Sequence, residues 1–363
     1  MPILQDLLLV RADDGFRLRG AIDGADLDRD GAATALLVRA LALAARDGVA
    51  VRLGPGRFPL AAVVELPAQA QLIGSGRGTR LDCAPVAGLR VAGGAGVLIA
   101  DLAVVGADLG IDITAAPQAT LREVTVARCA TGVRLRDHAC LARFTGCTFV
   151  ANRDVHLHLK DLREGPWGEY LPNLIEGCQF VGGGLGLEAH NAIVVNVVGC
   201  SFFQCGRGAI HVHHQSNSVQ VTGCRTFQIT GDAVVVDEAH EFCCTGNVFC
   251  WHTGHGIVVR NASWGTITGN EVIDNGSLNP GGPNFTRKLS EFPDAPACDG
   301  IRLENCRGFA VTGNAIFNWN IVPEMAVGIR LDAACNDCAV SGNAVNRYRE
   351  DGDAGDGTGT AIA

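Results

Sequence analysis

The chain has 363 residues, of which 47% are hydrophobic and 18% charged, so it can bury a large core and is not a disordered chain. Its net charge of −9 argues against nucleic acid as a partner, because binding to phosphates needs a basic surface. No apolar run reaches the roughly 20 residues of a membrane helix, and the N-terminal residues lack the basic segment of a secretory signal, so we expect a cytoplasmic protein that contacts no membrane.

The first predicted element is a helix within about residues 28–50. Residues 33–43 are rich in alanine and leucine, which have high helix propensities. The sequence Pro55-Gly56-Arg57-Phe58 follows, and then the glycine-rich residues 74–78. Since no helix follows these glycines, we interpret them as a turn and not as a dinucleotide-binding loop.

A repeat fills most of the remaining sequence. A Thr-Gly-Cys or Thr-Gly-Asn tripeptide, or a close variant, recurs mostly in steps of 22 to 24 residues. Each glycine follows, by 12 to 15 residues, a Gly or Asp that begins an alternating apolar strand such as Gly208-Ala209-Ile210-His211-Val212. Three short strands and three turns fill one such step. The repeat therefore predicts an all-β, right-handed, single-stranded parallel β-helix with apolar side chains pointing inward at alternate positions.

This repeat also predicts the domain organisation. We expect one β-helix domain over residues 1–348, with the helix region at about 28–50 capping the otherwise exposed end of the first coil. Two longer steps indicate loop insertions at about residues 160–172 and 276–298, and long loops in a solenoid are usually functional or form interfaces. Residues 349–363 are acidic and glycine-rich, and we expect a flexible tail.

Fifteen cysteines would suit a disulfide-rich or zinc-binding protein if the chain were short. The number is odd, and only Cys335 and Cys338 have CxxC spacing, without a second CxxC to complete a zinc site. The residue after the repeat glycine is Cys in early coils and Asn in later ones. Side chains at this position should therefore stack on one another as ladders along the β-helix. We predict reduced, buried, structural cysteines and no cofactor. The members of the two ladders are Cys147, Cys178, Cys200 and Cys224, then Asn247, Asn270, Asn314 and Asn343.

The chain resembles the pectate-lyase-like β-helix superfamily. Asp30-Gly31, Pro55-Gly56-Arg57-Phe58 and Leu72-Ile73-Gly74-Ser75-Gly76 follow in the order in which members of that superfamily begin. The resemblance implies carbohydrate chemistry, since its members include polysaccharide lyases, polygalacturonase-like hydrolases, uronate epimerases, fructotransferases and phage tailspikes, but fold alone does not choose among them. It also implies a homotrimer, as several relatives form.

One polygalacturonase motif is partly present. Gly231-Asp232-Ala233 stands where these enzymes have Gly-Asp-Asp, and Gly254-His255-Gly256 follows one coil later. Ala233 replaces the second aspartate, and inverting hydrolysis needs two carboxylates. We therefore interpret Gly254-His255-Gly256 as a turn.

One strand of each coil carries ionisable residues at its outward positions. With Ile210 and Val212 taken as inward, the outward position after the second inward residue reads Arg136, His158, His190, His213, Asp237, Arg260, Glu304 and Asp332 in successive coils. The outward position before it reads Arg134, His156, Glu188, His211, Val235, Val258, Arg302 and Arg330. Coils stack about 4.8 Å apart. Imidazole rings at such a short distance lower each other's pKa, which suits neutral bases near pH 7. We predict that this column is the active face, with an ordinary polar surface as the alternative.

The candidate catalytic residues are His213, Asp237, Arg260 and His190. Trp167 in the first insertion is a candidate platform for stacking on a sugar, or else an anchor of its loop. A metal site is not expected, because His190, His213 and Asp237 span two coil steps, or about 9.6 Å, whereas ligands at about 2.0–2.2 Å from one ion lie closer together. The candidate substrate-binding residues are His158, His156, His211, Glu304, Arg302, Lys160, Trp167, Glu238 and Asp332.

Four functions remain open. A lyase or epimerase acting on a poly- or oligosaccharide would use His213 or His190 as base, Arg260 with Arg302 or Lys160 to neutralise a substrate carboxylate, and Asp237 to orient a histidine. A glycosidase or fructotransferase would pair Asp237 with Glu304, nominally about 9.6 Å away, or with Glu238, and a neutral substrate would agree better with the net charge. The third candidate is an isomerase, cyclase or dehydratase of a small metabolite, and the fourth is a non-catalytic glycan-binding solenoid.

Overall fold

The computed structural model describes residues 5–162, 171–276, 298–317, 325–348, 354–355 and 360–362. Its backbone divides into two compact units, Met1–Gln179 and Phe180–Ala363. The predicted insertions lie largely outside the described residues, and Trp167 lies outside them entirely. Of residues 349–363, Ala354–Gly355 and Thr360–Ile362 form short strands, and the others lie outside the described residues.

The first unit begins with an antiparallel three-stranded meander, Leu7–Ala12, Gly15–Gly20 and Asp26–Asp30. The predicted helix follows as Ala33–Asp47 and ends at Gly48, whose positive φ of 70° suits glycine. Its apolar side buries Leu36, Leu37 and Leu41 and packs against the meander and the first coil. The helix is confirmed, whereas the meander was not predicted.

The coils of the first unit run through three faces in turn, and each strand pairs in parallel with the strand one coil later. A 3₁₀ turn at Gly76–Gly78 interrupts the second coil. The first face contains Val51–Leu53, Gln71–Ile73, Leu98–Ala100, Thr120–Arg122, Arg143–Thr145 and Asn173–Glu176. The second contains Gly56–Leu60, Thr79–Cys83, Ala103–Val105, Thr125–Ala127 and Thr148–Val150. The third contains Val63–Leu66, Gly88–Ala92, Leu109–Thr114, Thr131–Arg136 and Val155–Leu162.

The second unit repeats this parallel pattern. Its longest strand, Leu185–Val198, bends from the third face of one coil into the first face of the next, and Gln179–Val181 lies at the boundary of the units. The first face continues with Asn217–Thr222, Cys243–Thr245, Ser263–Thr268, Arg307–Thr312 and Ala339–Ser341. The second contains Ser201–Phe203, Arg225–Phe227, Val248–Cys250, Glu271–Ile273, Ala315–Phe317 and Ala344–Tyr348. The third continues with Ile210–His213, Val234–Asp237, Ile257–Arg260, Cys298–Glu304, Met325–Leu331 and Thr360–Ile362.

Ladders of like side chains fill the interior of each unit. In the second unit the rings of Phe180 and Phe202 stack with centroids 4.4 Å apart. The predicted Cys and Asn ladders are also observed: the backbone N–H of Cys224 donates to Oδ1 of Asn247 at 2.8 Å, and that of Asn247 donates to Oδ1 of Asn270 at 3.0 Å. None of the fifteen cysteines, all of which the structure describes, forms a disulfide, and eleven of them are buried, so their role in the core is packing and hydrogen bonding.

Within the described residues, no helix is long and apolar enough to cross a membrane.

Candidate functional site

The third face of the second unit carries the predicted column, and we call it the histidine face. Its strands are Leu185–Val198 (first half), Ile210–His213, Val234–Asp237, Ile257–Arg260, Cys298–Glu304 and Met325–Leu331. Their register pairs His190 with His213, Asp237 with Arg260, and Arg260 with Glu304. The inward residues between them are buried, so the alternation holds these charged side chains outside the core on one side of the unit.

Five residues form a compact cluster at one end of the histidine face, and we call it the histidine cluster: Glu188, His190, His211, His213 and His214. Nε2 of His213 lies 3.1 Å from Oε1 of Glu188, and its Nδ1 lies 2.7 Å from Nδ1 of His214. The His190 ring meets His213 edge-on at 4.8 Å and stacks on His214 at 4.2 Å, while His211 stacks on His213 at 4.1 Å. His213 is therefore the centre of the cluster, held through both ring nitrogens.

The environment of His211 disfavours its protonated form. The pKa of His211 is lowered to about 4, mainly by burial and next by the nearby His213, against the opposing effect of Glu188 and Asp237. The expectation that crowded imidazoles resist protonation is therefore met at His211.

Arginine–carboxylate pairs occupy the next coils. Nε of Arg260 donates to Glu304 at 2.8 Å and Nε of Arg302 donates to the other oxygen at 2.7 Å. Burial raises the pKa of Glu304, but the hydrogen bonds from Arg260 and Arg302 outweigh it and hold that pKa below its usual value. Glu304 is therefore a carboxylate and a poor proton donor.

A second pair stands beside the first. The fully buried carboxylate of Asp299 accepts two hydrogen bonds from Arg330, at 2.8 and 3.2 Å, and lies 3.8 Å from Arg302. The backbone N–H of Asp299 donates to Nδ1 of His255 at 2.7 Å. These contacts hold three guanidinium groups in a row across the histidine face.

The column continues through the turns that leave each strand. Asp237 accepts a hydrogen bond from Asn261 at 3.1 Å, and Glu238 is an exposed turn residue with a φ of 50°. Asp332 accepts from the backbone N–H groups of Asn305 and Ala334, and the first of these bonds is the main reason why the pKa of Asp332 is lowered. Asp332 thus shapes a turn.

A model of the family described as the right handed beta helix region matches residues 81–226 and 172–286. These two matches span more than half of the chain. The chain belongs to the right-handed β-helix family.

Solved β-helix structures agree on the fold. The Dettilon tailspike protein is 14% identical with a TM-score of 0.70, over 91% of this chain and 67% of that one. The A-module of the Azotobacter vinelandii mannuronan C-5 epimerase AlgE6 is 14% identical with a TM-score of 0.63, over 91% and 95%. A PL6-family alginate lyase is 14% identical with a TM-score of 0.59, over 99% of this chain and 53% of that one. At this identity the likeness concerns the fold alone. A search of curated proteins finds no significant match.

Three predicted site residues lie in the first unit of the β-helix, where the predicted register is wrong by two residues. Val133 pairs with Leu157, Arg134 with His158 and Arg136 with Lys160. His158 therefore lies in the column of Arg134 and not, as predicted, in that of Arg136, where Lys160 lies instead. A shift of two residues preserves the apolar alternation, so the pattern of Val155, Leu157 and Leu159 could not distinguish the two registers.

His156 is not a surface residue. It is fully buried, with Nδ1 2.9 Å from Nδ2 of Asn152 and its ring 6.3 Å from that of Phe149. A side chain without exposed surface cannot contact a substrate from outside the coil. The prediction of His156 as a substrate-binding residue is therefore withdrawn.

The partial polygalacturonase motif forms a tight bend, as interpreted. Oδ1 of Asp232 accepts from the backbone N–H of His255 at 2.8 Å. A Cβ on Gly254 would lie 2.4 Å from that oxygen, which explains the glycine before the histidine. Ala233 is buried in the core and offers no second carboxylate.

His214 and Asp299 are the site residues that sequence reasoning missed. His214 has a φ of 54° in the turn after its strand, a conformation in which histidine is enriched, and the turn brings it back beside His190. The signal that pointed to it was the run His211-Val212-His213-His214. Among the described residues, two sets hold three ligand atoms within 4.8 Å of one another: His190 with His213 and His214, and Glu188 with His211 and His213.

Proposed function

We propose that the chain is a carbohydrate-active enzyme, a lyase or epimerase that moves the proton beside the carboxylate of a uronate in a poly- or oligosaccharide. The observation that carries this proposal is the pairing of His213 with Glu188 on the same face as the Arg260–Glu304–Arg302 cluster. Removing such a proton needs a positioned base and a cation near the carboxylate, and this face supplies both.

In the proposed reaction, Nδ1 of His213 gives up its contact with Nδ1 of His214 and accepts the proton from the sugar carbon. Glu188 stabilises the imidazolium that forms, because its carboxylate lies 3.1 Å from Nε2. A lyase then expels the oxygen at the neighbouring carbon, which takes a proton from a nearby acid, and His190 is the candidate donor. An epimerase instead keeps that proton on His213 until it passes to solvent, and the opposite face of the same carbon takes a proton from water. Either way the atoms balance without an oxidant and without net addition of water.

The arginines are proposed to bind the substrate carboxylate. Arg260 and Arg302 already share Glu304, so a uronate would either join this cluster or displace Glu304 from one guanidinium. Asp237, in the strand between His213 and Arg260, is positioned to orient the substrate or a histidine.

The epimerase and lyase named among the similar structures support this choice only as members of the same fold. The glycosidase alternative is less well supported. It needs a carboxylic acid that stays protonated to donate a proton, and the pKa of Glu304 is instead lowered.

The test is to incubate the chain with polyuronides, fructans and neutral glycans in deuterated buffer. Ultraviolet absorbance would report the unsaturated product of a lyase, and mass would report added water from a hydrolase or added deuterium from an epimerase. We expect absorbance or deuterium only with polyuronides. Added water without absorbance would overturn the proposal in favour of a glycosidase, and no change with any glycan would favour a small-metabolite enzyme or a binding solenoid.

A further inference from the structure

The histidine cluster brings three imidazoles together that the repeat alone would keep apart. His190 and His213 stand on adjacent coils, and His214 turns back beside both of them, so that one nitrogen from each lies within 4.8 Å of the others. Asp237, the third ligand considered from the sequence, lies one coil farther away. His214 removes that obstacle to a metal site because it needs no third coil.

The orientation of His213 matches that of a metal ligand. Its Nε2 contacts Glu188 at 3.1 Å, and its Nδ1 faces Nδ1 of His214 at 2.7 Å. A histidine that binds a metal commonly donates its other ring N–H to a carboxylate, which fixes the tautomer and raises the basicity of the ligating nitrogen. Glu188 is placed to play that part.

The ring contacts place His190 and His214 against His213, while His190 itself stacks on His214 at 4.2 Å. The His213 ring stands edge-on to both His190 and His214, with interplanar angles of 90° and 78°. Two imidazole nitrogens on one tetrahedral ion at 2.0–2.1 Å are roughly 3.3 Å apart. The Nδ1 atoms of His213 and His214 would therefore open by about half an ångström around an ion, and the His190 nitrogen, which lies within 4.8 Å of both, would close by up to about 1.5 Å.

We propose that His190, His213 and His214 bind one divalent transition-metal ion of the Zn²⁺ class, with Glu188 orienting His213. Imidazole nitrogen suits Zn²⁺, Ni²⁺ and Cu²⁺ better than it suits Ca²⁺ or Mg²⁺. Three protein ligands leave a fourth position open, and the exposed His214 lies on the solvent side. The site stands on ligand geometry and not on the proposed function.

One consequence does rest on the proposed function. An ion bound to Nδ1 of His213 occupies the nitrogen that would accept the substrate proton, since Nε2 contacts Glu188. Metal binding and proton transfer then exclude each other at His213, and Zn²⁺ would inhibit turnover.

The test is a titration of the chelator-treated full chain with Zn²⁺ by calorimetry, and with Co²⁺ by visible absorption. We expect one ion per chain. Glu188→Gln removes the hydrogen-bond partner of a ligand and should weaken Zn²⁺ binding by roughly 10–100-fold. His214→Gln and His190→Gln each remove a ligand and should weaken Zn²⁺ binding by more than that. The matched controls are His211→Gln, which removes a histidine that stacks on His213 from the other side, and His240→Gln on a different face. Both should bind as the unchanged chain does.

Three results would overturn the site: no binding, equal binding in His214→Gln and in the unchanged chain, or loss of binding in His211→Gln but not in His214→Gln. The last result would place the ion between Glu188, His211 and His213. Zn²⁺ binding, together with no turnover of any glycan by the metal-free chain, would reject the proposed function and leave the site standing, whereas turnover by a chain that binds no Zn²⁺ would do the reverse.

Discussion

His213 shows how much of a residue's chemistry depends on its neighbours. Its side chain is 14% exposed, and Glu188 and His214 hold its two nitrogens in opposite directions. A histidine with fixed nitrogens and limited contact with water can present a lone pair at a defined place, which an exposed, rotating histidine cannot. The same restraint serves a base and a metal ligand.

At this scale we predict that His213→Ala and Asp237→Ala each abolish turnover while leaving the fold intact. Loss of a positioned general base typically costs 10²–10⁴-fold in rate, and both side chains point outward from the coil, so their removal leaves no cavity in the core. Rates on the polyuronide found active would be compared with circular dichroism and melting temperature. His240→Ala, which removes a histidine bonded to Ser263 on another face, is the matched control. Unchanged rates in both variants would reject the assignment of the active face.

One turn of each of two coils contains a buried polar side chain that accepts a backbone hydrogen bond. His252 is fully buried; its Nδ1 accepts from the backbone N–H of Ile229 at 3.2 Å and its Nε2 lies 2.8 Å from the hydroxyl of Thr226. Asn152 fills the equivalent turn of an earlier coil and accepts from the N–H of Cys129 at 2.9 Å. This position in the coil therefore requires a hydrogen-bond acceptor, which either a histidine or an asparagine can supply.

This turn makes stability depend on pH. Burial lowers the pKa of His252 to about 3, against about 6.5 in an unfolded chain. Between these values the unfolded state binds one more proton, so this contribution is complete above about pH 6.5 and falls with decreasing pH by about 1.4 kcal/mol per unit. We predict that His252→Asn flattens the loss of unfolding free energy between about pH 6 and pH 4. Denaturant titrations at several pH values would measure it, and an identical slope in the variant would contradict the assignment.

The asparagine ladder is the second element whose effect can be tested. Oδ1 of Asn270 accepts from both the backbone and the side chain of Asn247, at 3.0 and 2.9 Å, in the buried interior. Asn270→Ala leaves the buried backbone N–H of Asn247 without an acceptor, at about 1–3 kcal/mol, and costs its Nδ2, which still donates to the carbonyl of Val221, a hydrogen bond of about 1 kcal/mol. We therefore expect a loss of about 2–4 kcal/mol in unfolding free energy.

Asn270→Cys is the matched control for that variant. A cysteine occupies this ladder position at Cys224, whose sulfur lies 3.4 Å from the backbone N–H of Cys200. The thiol should therefore recover part of the loss. Equal destabilisation by alanine and cysteine would show that hydrogen bonding along the ladder is not the cause.

If residues 1–348 form one domain, as predicted, they should unfold cooperatively. Each coil buries its inward residues only against neighbouring coils, and the repeat resumes after each of the two predicted insertions between Gly146 and Gly342. We predict one calorimetric unfolding transition whose van't Hoff and calorimetric enthalpies agree. Two transitions that match residues 1–179 and 180–363 would contradict it. Light scattering on the same sample would test the implied homotrimer against the 37.9 kDa of one chain.

The repeat in the sequence determined the coil, its inward residues and the column of the histidine face, because a 22–24-residue step and an alternation of two leave little freedom in stacking parallel strands. The same reasoning failed at Val155–Leu162, since a shift of two residues keeps every apolar side chain inward. It also passed over the N-terminal meander, whose short strands lie outside the repeat.

Only the tertiary structure decided which neighbours share a contact. His214 joins the site because its turn adopts a positive φ, and Glu304 is occupied because Arg302 and Arg260 converge on it from two strands. Such contacts join residues 23 to 44 positions apart in sequence, on different coils. The periodicity of the sequence places these residues in columns, but the direction of each side chain decides its hydrogen bonds.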